Sequence, residues 1–354
     1  MSVVERGIEG VHRLADFEPL ARAAMDPGGF DFVAGGAWDE LSLAENEAAW
    51  LRYRFRPRVM VDVSVSDPST AILGVRSPLP VAIAPTAYHT LAHPDGELET
   101  IRGAAAAGVP FILSTSSSRT LEEVAAAAPG ATRWFQLYLQ DVPSLSQSLV
   151  ARAEAAGFTA IVLTVDLAAF GYRERDRRSG FEPPPYGNFD PETPSPIRTR
   201  GTTTWAAVEE IRGWTSLPIV VKGLLTGEDA RLAVEHGVDG IVVSNHGARQ
   251  LDRTPAPIDV LAEVVAAVRA AGGADRTEVW VDGGVRRGLD VAIALALGAR
   301  AVLDGRPIVY ALAAGGQAGV ERALEILLEE FDIAMRLLGA TTPDGITAEH
   351  VFRV

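Results

Sequence analysis

From about residue 80 onward, short runs of β-branched and other apolar residues alternate with alanine-rich stretches of helical period. The runs are VAIAP (81–85), PFILS (110–114), RWFQLY (133–138), AIVLTVD (160–166), PIVVKG (218–223), GIVVSN (240–245), EVWVDG (278–283) and RAVLDG (300–305). They are nearly continuous in hydrophobicity, which is the pattern of parallel strands covered on both faces. Helices are predicted between them near 95–107, 119–128, 143–156, 204–213, 226–236, 257–271 and 286–297, with a last helical region over 307–338. Strand followed by helix, repeated around a closed sheet, predicts an α/β fold, a (β/α)8 TIM barrel. A doubly wound open sheet is the competing architecture. It would carry a glycine-rich fingerprint after its first strand, and the first turn here reads PTAYHTLAHPDGE.

Residues 1–79 precede this rhythm. They predict short helices and a small strand or hairpin around RFRPRVMVDVSVSD, acting as a helical lid over one barrel end. The stretch 174–203 is rich in Pro, Gly and charge, and predicts a long, mobile fourth βα loop. The barrel is therefore expected over 80–340, followed by a C-terminal tail over 341–354.

Composition narrows the chemistry. The chain has no cysteine, which excludes disulfides, thiolate metal sites, Fe–S clusters and thiol nucleophiles, and fits a reducing cytoplasm. The formal net charge of -14 disfavours nucleic acid and anionic membrane as partners. An anionic substrate would need local cations to offset that field. No segment reaches the ~18 uninterrupted apolar residues of a membrane span, and the N-terminus shows no basic-then-apolar secretion signal.

In a barrel of this kind the chemistry gathers at the C-terminal ends of the strands. Those ends carry Thr86; Ser114; Gln136 and Tyr138; Thr164 and Asp166; Lys222; Ser244, Asn245 and His246; Asp282; and Gly305 with Arg306. Any one of these could be a turn or cap residue; a polar group at every end is not explained that way. The last two ends, DGGVRRG (282–288) and DGRP (304–307), pair glycine with arginine beside a helix start. Exposed N–H groups and a guanidinium suit a phosphate, although glycine capping alone would give the same letters. Lys222 is either a Schiff-base nucleophile or a fixed positive charge. In SNHGARQLD (244–252), His246 and Arg249 can share one pocket. The imidazole can take a proton near neutral pH, and the guanidinium can hold a carboxylate. His12, His236 and His350 read as surface residues, and His89 and His93, in the first βα loop, as loop packing in preference to pocket residues.

These motifs resemble the FMN-dependent 2-hydroxy acid oxidase family, on SNHGARQLD, APTA (84–87), FQLY (135–138), LTVD (163–166), LPIVVKG (217–223), DGGVRRG and GRP. The resemblance spans about residues 17–338 and implies FMN as cofactor. It implies that Pro85, Thr86 and Ala87 lie against the flavin near N5. Ser114, Gln136, Thr164 and Ser244 would bond its ring and ribityl chain, and Asp282, Gly283, Gly284, Arg286, Gly305 and Arg306 its ribityl and phosphate. Lys222 would face N1 and O2, which replaces the Schiff-base reading. His246 is then the active-site base and Asp166 the carboxylate that pairs with it and favours the imidazolium. Arg249 and Arg173 form the substrate-carboxylate clamp, and Tyr138 hydrogen-bonds the substrate oxygens. No metal is implied. The activity implied is oxidation of an L-2-hydroxy acid to the 2-oxo acid, with O2 reduced to H2O2, in a tetramer or octamer. A same-fold dehydrogenase using a quinone or protein acceptor is the nearest alternative. A colourless lyase or isomerase using Lys222 covalently, and a flavin barrel without turnover, are more distant ones.

Three positions bear on the substrate. FDFVAGGA (30–37) places Phe32 where many members have a tyrosine, and Tyr88 follows Ala87 in the first loop. With Ser116 near a position where glycolate oxidase has tryptophan, the pocket is expected to be roomier and more apolar, tilting toward a bulky or aromatic 2-hydroxy acid.

Overall fold

The computed structural model describes residues 7–190, 201 and 203–354. Among these, short helices at Phe17–Ala24, Pro27–Ala34 and Leu41–Ala48 lead into strand β1 (Tyr53–Phe55) and a hairpin of β2 (Thr70–Ile72) and β3 (Val75–Ser77). Eight parallel strands follow: β4 (Val81–Ile83), β5 (Phe111–Leu113), β6 (Arg133–Leu137), β7 (Ile161–Thr164), β8 (Ile219–Leu224), β9 (Gly240–Val243), β10 (Glu278–Val281) and β11 (Ala301–Asp304). They close into a barrel in which β4 pairs with both β5 and β11. Every predicted barrel strand is present, and the predicted barrel helices match within a few residues. The last, Arg306–Leu337, is interrupted where Gly315 and Gly316 leave the helical region.

Two-residue periodicity arranges the barrel interior in layers. Ile112, Trp134, Val162, Val220, Val242 and Trp280 belong to one buried cluster that fills the cylinder. Two residues further along stand Ser114, Gln136, Thr164, Lys222, Ser244 and Asp282, within six of the strands or one residue past their ends, whereas β4 and β11 place Ala84 and Leu303 there. On those six the next interior layer toward the C-terminal mouth is polar because the alternation continues to the strand ends. The intervening residues, among them Leu113, Phe135, Leu163, Val221, Val243 and Val281, face outward into the larger core beneath the helices.

The N-terminal segment serves both ends of the cylinder, which corrects the single-lid expectation. Its helices lie over the C-terminal mouth, where the main chain of Phe32, Val33 and Gly35 meets arginines from the strand ends. Its hairpin, at 70–77 rather than around RFRPRVMVDVSVSD, closes the opposite end. Ile72 is fully buried in the interior cluster, and Leu73 N–H donates to Glu278 at 3.0 Å. Tyr53–Phe55 instead pairs antiparallel with β12 (Val351–Arg353), so the expected C-terminal tail is partly a strand. The fourth βα loop also differs from expectation: it contains a helix, Glu174–Ser179. Its residues 191–200 and 202 lie outside the described ones. No helix among the described residues is long and apolar enough to cross a membrane.

Candidate active site

At the C-terminal mouth lies a cavity of about 410 Å³. Its wall contains Pro85, Thr86, Ala87, Tyr88, Ser114, Tyr138, Thr164, Arg173, Lys222, His246, Arg249, Asp282, Gly283, Gly284, Arg286, Gly305, Arg306 and Phe32, together with Ser116. Gln136, Ser244 and Asp166 do not line it, but each hydrogen-bonds residues that do. Gln136 donates to Thr164 Oγ1 at 3.0 Å and accepts from Ser114 at 3.2 Å. Ser244 joins Lys222 (2.8 Å) to Asp282 (2.9 Å), and Lys222 Nζ lies 3.0 Å from the Asp282 carboxylate. Lys222, 4% exposed, is thus a paired, fixed cation, which is what makes its burial tolerable. A bulge in the β8–β9 pairing spans Lys222 to Leu224. At its centre Gly223 has φ +115, and a Cβ there would sit 2.7 Å from Asp166.

His246 follows β9 in the left-handed region (φ 60), as do Gly247 (φ 61) and Ala248 (φ 60). For the two residues with a Cβ this conformation costs about 1–2 kcal/mol each. Asn245 holds the turn. Its side-chain oxygen accepts from Ala248 N–H (3.0 Å), and its amide exchanges two hydrogen bonds with Asn46 (2.9 and 2.7 Å). The turn swings the imidazole over the mouth. His246 Nδ1 lies 2.8 Å from Asp166 Oδ1 and Nε2 lies 3.3 Å from the Tyr138 hydroxyl. A carboxylate can only accept, so the proton of the neutral ring resides on Nδ1 and the Nε2 lone pair faces the cavity.

Burial pushes the His246 pKa down, and Lys222 and Arg173 add to that; Asp166 pulls it up but does not overcome them. The net shift is downward. Asp166 acts toward the imidazolium, but burial outweighs it, so the ring is neutral near neutral pH and Asp166 fixes its tautomer. Burial raises the Asp166 carboxyl, but its pairing with His246, with Lys222 beside it, holds it net below the ordinary carboxylate range. Burial, with the Asp166 charge, raises the Tyr138 phenol, so it stays protonated.

Arg249 and Arg173 converge on the same side. Burial lowers both pKa values, and the mutual repulsion of the two guanidinia lowers Arg249 further. Arg249 is held by the carbonyls of Phe32 (2.5 Å) and Gly35 (2.9 Å), with its guanidinium 4.7 Å over the Phe32 ring. Arg173 is braced by the Arg249 carbonyl (3.2 Å) and Gln250 (3.3 Å). The arginines of the Gly–Arg ends also line the cavity but are engaged by protein groups. Arg286 donates to Val285 O (2.8 Å) and pairs with Glu47 (2.6 Å). Arg306 donates to the carbonyls of Val33 (2.9 Å), Gly35 (2.8 Å) and Gly247 (2.8 Å). Gly284, φ +82, is fixed by crowding, since a Cβ there would fall 1.8 Å from Asn46 O.

Sequence reasoning missed an aromatic wall contributed by the fourth loop. Phe181 stacks on Phe32 with centroids 4.4 Å apart, Phe32 meets Tyr88 at 5.6 Å, and Tyr88 meets Tyr186 at 5.5 Å. Only loop composition was visible there, and nothing local told inward from outward aromatics. Asp304 also lines the cavity unforeseen. His89 packs, as expected, and also bonds Thr86 Oγ1 from beneath while its Nδ1 meets Thr100 at 2.8 Å. His93 lies outside the cavity, where its Nδ1 accepts from Asp95 N–H at 3.2 Å. His12 is exposed, whereas His236 and His350 are half-buried; His236 stacks on Trp205 at 5.5 Å. No cluster of metal-ligating side chains occurs among the described residues.

The donor set suits a flavin nucleotide. A buried ammonium faces the mouth, and Asp282 Oδ1 is buried without a partner, an acceptor suited to a sugar-alcohol hydroxyl. The glycine-rich ends of β10 and β11 border one flank of the same cavity.

Comparison with known proteins agrees. A family model described as FMN-dependent dehydrogenase matches residues 21–353. A peroxisomal (S)-2-hydroxyacid oxidase of Arabidopsis thaliana is 48% identical over 350 residues, covering 95% of each chain. Glycolate oxidase of Spinacia oleracea is 44% identical, covering 95% of this chain and 94% of its own. A solved mandelate oxidase superposes with a TM-score of 0.90 at 46% identity, over 97% of this chain and 98% of that one. A flavocytochrome b2 variant superposes at 0.91 and 38% identity, over 98% and 87% respectively. The chain belongs to the FMN-dependent dehydrogenase family.

Proposed function

We propose that this enzyme oxidises an L-2-hydroxy acid to the 2-oxo acid, with His246 as the base and O2 as the electron acceptor that becomes H2O2. The observation that carries the reading is His246: Asp166 holds its Nδ1, and its Nε2, 3.3 Å from the Tyr138 hydroxyl, is the ring nitrogen left to take a proton. The ring lines a cavity that is also lined by two guanidinia, Arg249 and Arg173. These hold the substrate carboxylate against the chain's negative field, and Tyr138 hydrogen-bonds the substrate oxygens. His246 accepts one proton as the alcohol becomes a ketone, and Asp166 stabilises the imidazolium formed at that moment. Bound FMN supplies the two-electron acceptor. Lys222, with Pro85, Thr86, Ala87, Ser114, Thr164, Asp282, Gly283 and Gly284 in the wall and Gln136 and Ser244 behind it, would hold its ring and ribityl chain. Arg286, Gly305 and Arg306 would hold its phosphate once Arg306 exchanges a carbonyl for the anion.

The aromatic wall of Phe32, Tyr88, Phe181 and Tyr186 favours a substrate with a bulky, aromatic side chain over glycolate. A homo-oligomer, a tetramer or octamer, is supported by the exposed apolar side chains of Val59 and Met60 (81% and 101% exposed) with Ile333 and Leu337 (50% and 70%). A cytoplasmic location rests on the cysteine-free composition, while curated relatives include enzymes named peroxisomal. The test is anaerobic mixing of the yellow protein with lactate, mandelate and longer 2-hydroxy acids, followed by an H2O2 assay in air. Bleaching fastest with mandelate, with stoichiometric peroxide, is expected. No bleaching with any acid would overturn the reading, and bleaching without peroxide would assign a different acceptor.

A further inference from the structure

Asp304 is out of phase with the polar layer of the barrel mouth. It ends β11 two residues after Val302, on the outward-facing parity, whereas Leu303 faces inward. Its side chain therefore enters the seam between the barrel and the start of the neighbouring helices. That seam borders the cavity where the Gly283–Arg286 and Gly305–Arg306 segments meet. The residue is 2% exposed, and Oδ2 is buried with no hydrogen-bond partner. This is an odd occupant for an anion cradle. An ionised carboxylate would repel a phosphate, while a protonated one carries a hydroxyl to donate.

We propose that Asp304 is a ligand of the FMN phosphate in its protonated form, and that ionisation of this one carboxyl loosens the cofactor. The inference rests on the reading that the glycine-rich ends hold the phosphate. The surroundings fit it. Arg286 approaches from the turn after β10, but its guanidinium is paired with Glu47. Asp290, from the first turn of Gly288–Ala296, faces Asp304 as a like charge. It already accepts from the N–H groups of Arg286 (2.8 Å) and Arg287 (2.9 Å), and Glu330 stands behind it, paired with Arg287. Arg306 begins the next helix and points to the lid carbonyls. No side chain supplies Oδ2 with a hydrogen, so the cavity side is where its partner belongs. Burial, only partly opposed by Arg286 and the Gly305 N–H, pushes the Asp304 pKa up to about 7. A phosphate dianion alongside raises it further. The sign follows: the acid form binds, so affinity is full below this pKa and falls as pH rises through it, by at most about tenfold per pH unit. The phosphate's own second ionisation, near pH ~6, is complete by then and does not contribute.

The experiment dilutes holoenzyme at a series of pH values from about 7 to about 9 and reads released flavin by fluorescence. It compares FMN with riboflavin, which lacks the phosphate, in the wild type and in Asp304→Asn. Expected is an FMN dissociation constant that climbs about tenfold or more across the range in the wild type. It stays flat for riboflavin, and flat for FMN in Asp304→Asn. A flat FMN profile in the wild type, an equal climb for riboflavin, or a climb that survives in Asp304→Asn would each overturn the proposal. Should that variant fail to fold, the wild-type contrast between FMN and riboflavin decides alone. Failure of both flavins to bind at any pH would remove the cofactor reading itself, and this inference with it.

Discussion

The two ends of one cylinder are built on opposite principles. At the N-terminal end, Trp134 and Trp280 stack with centroids 5.2 Å apart, Ile72 plugs the opening, and Glu278 ties the plug by accepting from Leu73 and from Trp280 Nε1 (2.9 Å). Apolar packing dominates; left-handed backbone is found in the hairpin turn at Leu73 (φ 47) and Gly74 (φ 72), and Trp134 Nε1 is buried without a partner. At the C-terminal end, the corresponding layer holds Lys222, Asp282 and Gln136, the backbone at His246 and Ala248 is left-handed, and carboxylate oxygens of Asp166, Asp282 and Asp304 are buried without partners. Such groups cost stability and persist where they are used. The contrast teaches that the fold's stability and its chemistry occupy different layers of the same strands, two residues apart.

Substitutions at each end should separate the two. The largest effect is expected from His246→Ala. The rate of flavin reduction by a 2-hydroxy acid should fall at least ~10²–10⁴-fold with FMN retained, as read by anaerobic rapid mixing. Normal reduction would dissolve the assignment of chemistry to the C-terminal end. Next, Trp134→Ala should destabilise the protein by ~3–5 kcal/mol in denaturant unfolding, through a cavity in the packed layer. The flavin spectrum of the folded fraction should be unchanged. A cost below 1 kcal/mol would deny that the lower layer carries stability.

Smaller is Arg249→Leu, expected to lower kcat/KM by roughly 10²-fold through loss of a charge-assisted contact to the carboxylate. Denaturation should be little affected, because Phe32 and Gly35 keep other neighbours. The smallest is a pH displacement. Burial depresses the His246 pKa, so protonation that removes the base sets in only below the ordinary imidazole value of ~6.5. The acid limb of kcat/KM should lie there. Asp166→Asn removes the group that pulls this pKa up, so the limb should move further to acid while the rate falls. Movement toward alkaline pH would contradict the tautomer assignment.

Much of this was legible in the chain, for identifiable reasons. Buried parallel strands print continuous apolar runs, so all barrel strands could be placed. Because alternation is strict, polar letters just past each run, such as Lys222 after VV and Asp282 after WV, mark the mouth directly. What was not legible is nonlocal. The β1–β12 pair joins three-residue strands whose partners lie at opposite ends of the chain, and neither has a period of its own. The net direction of the His246 shift was not legible for the same reason. The sequence shows Asp166 as a partner but not the burial that outweighs it, nor Lys222 from β8 and Arg173 from the fourth loop converging on the ring. Phe181 and Tyr186 look like any aromatic residues in a proline-rich loop until the loop folds inward.

The seam at which the cylinder closes has a consequence for biosynthesis. Val81 on β4 pairs with Val302 on β11, so one flank of the first barrel strand finds its ladder only after more than two hundred further residues have left the ribosome. At ~5–20 residues per second, that flank waits on the order of 10–45 s with its N–H and C=O groups open to any extended neighbour. Slow translation or high expression should therefore expose this nascent chain to edge-to-edge association before it can seal itself. Chaperone dependence during synthesis, rather than low stability afterwards, is where a closed cylinder of this connectivity is most vulnerable.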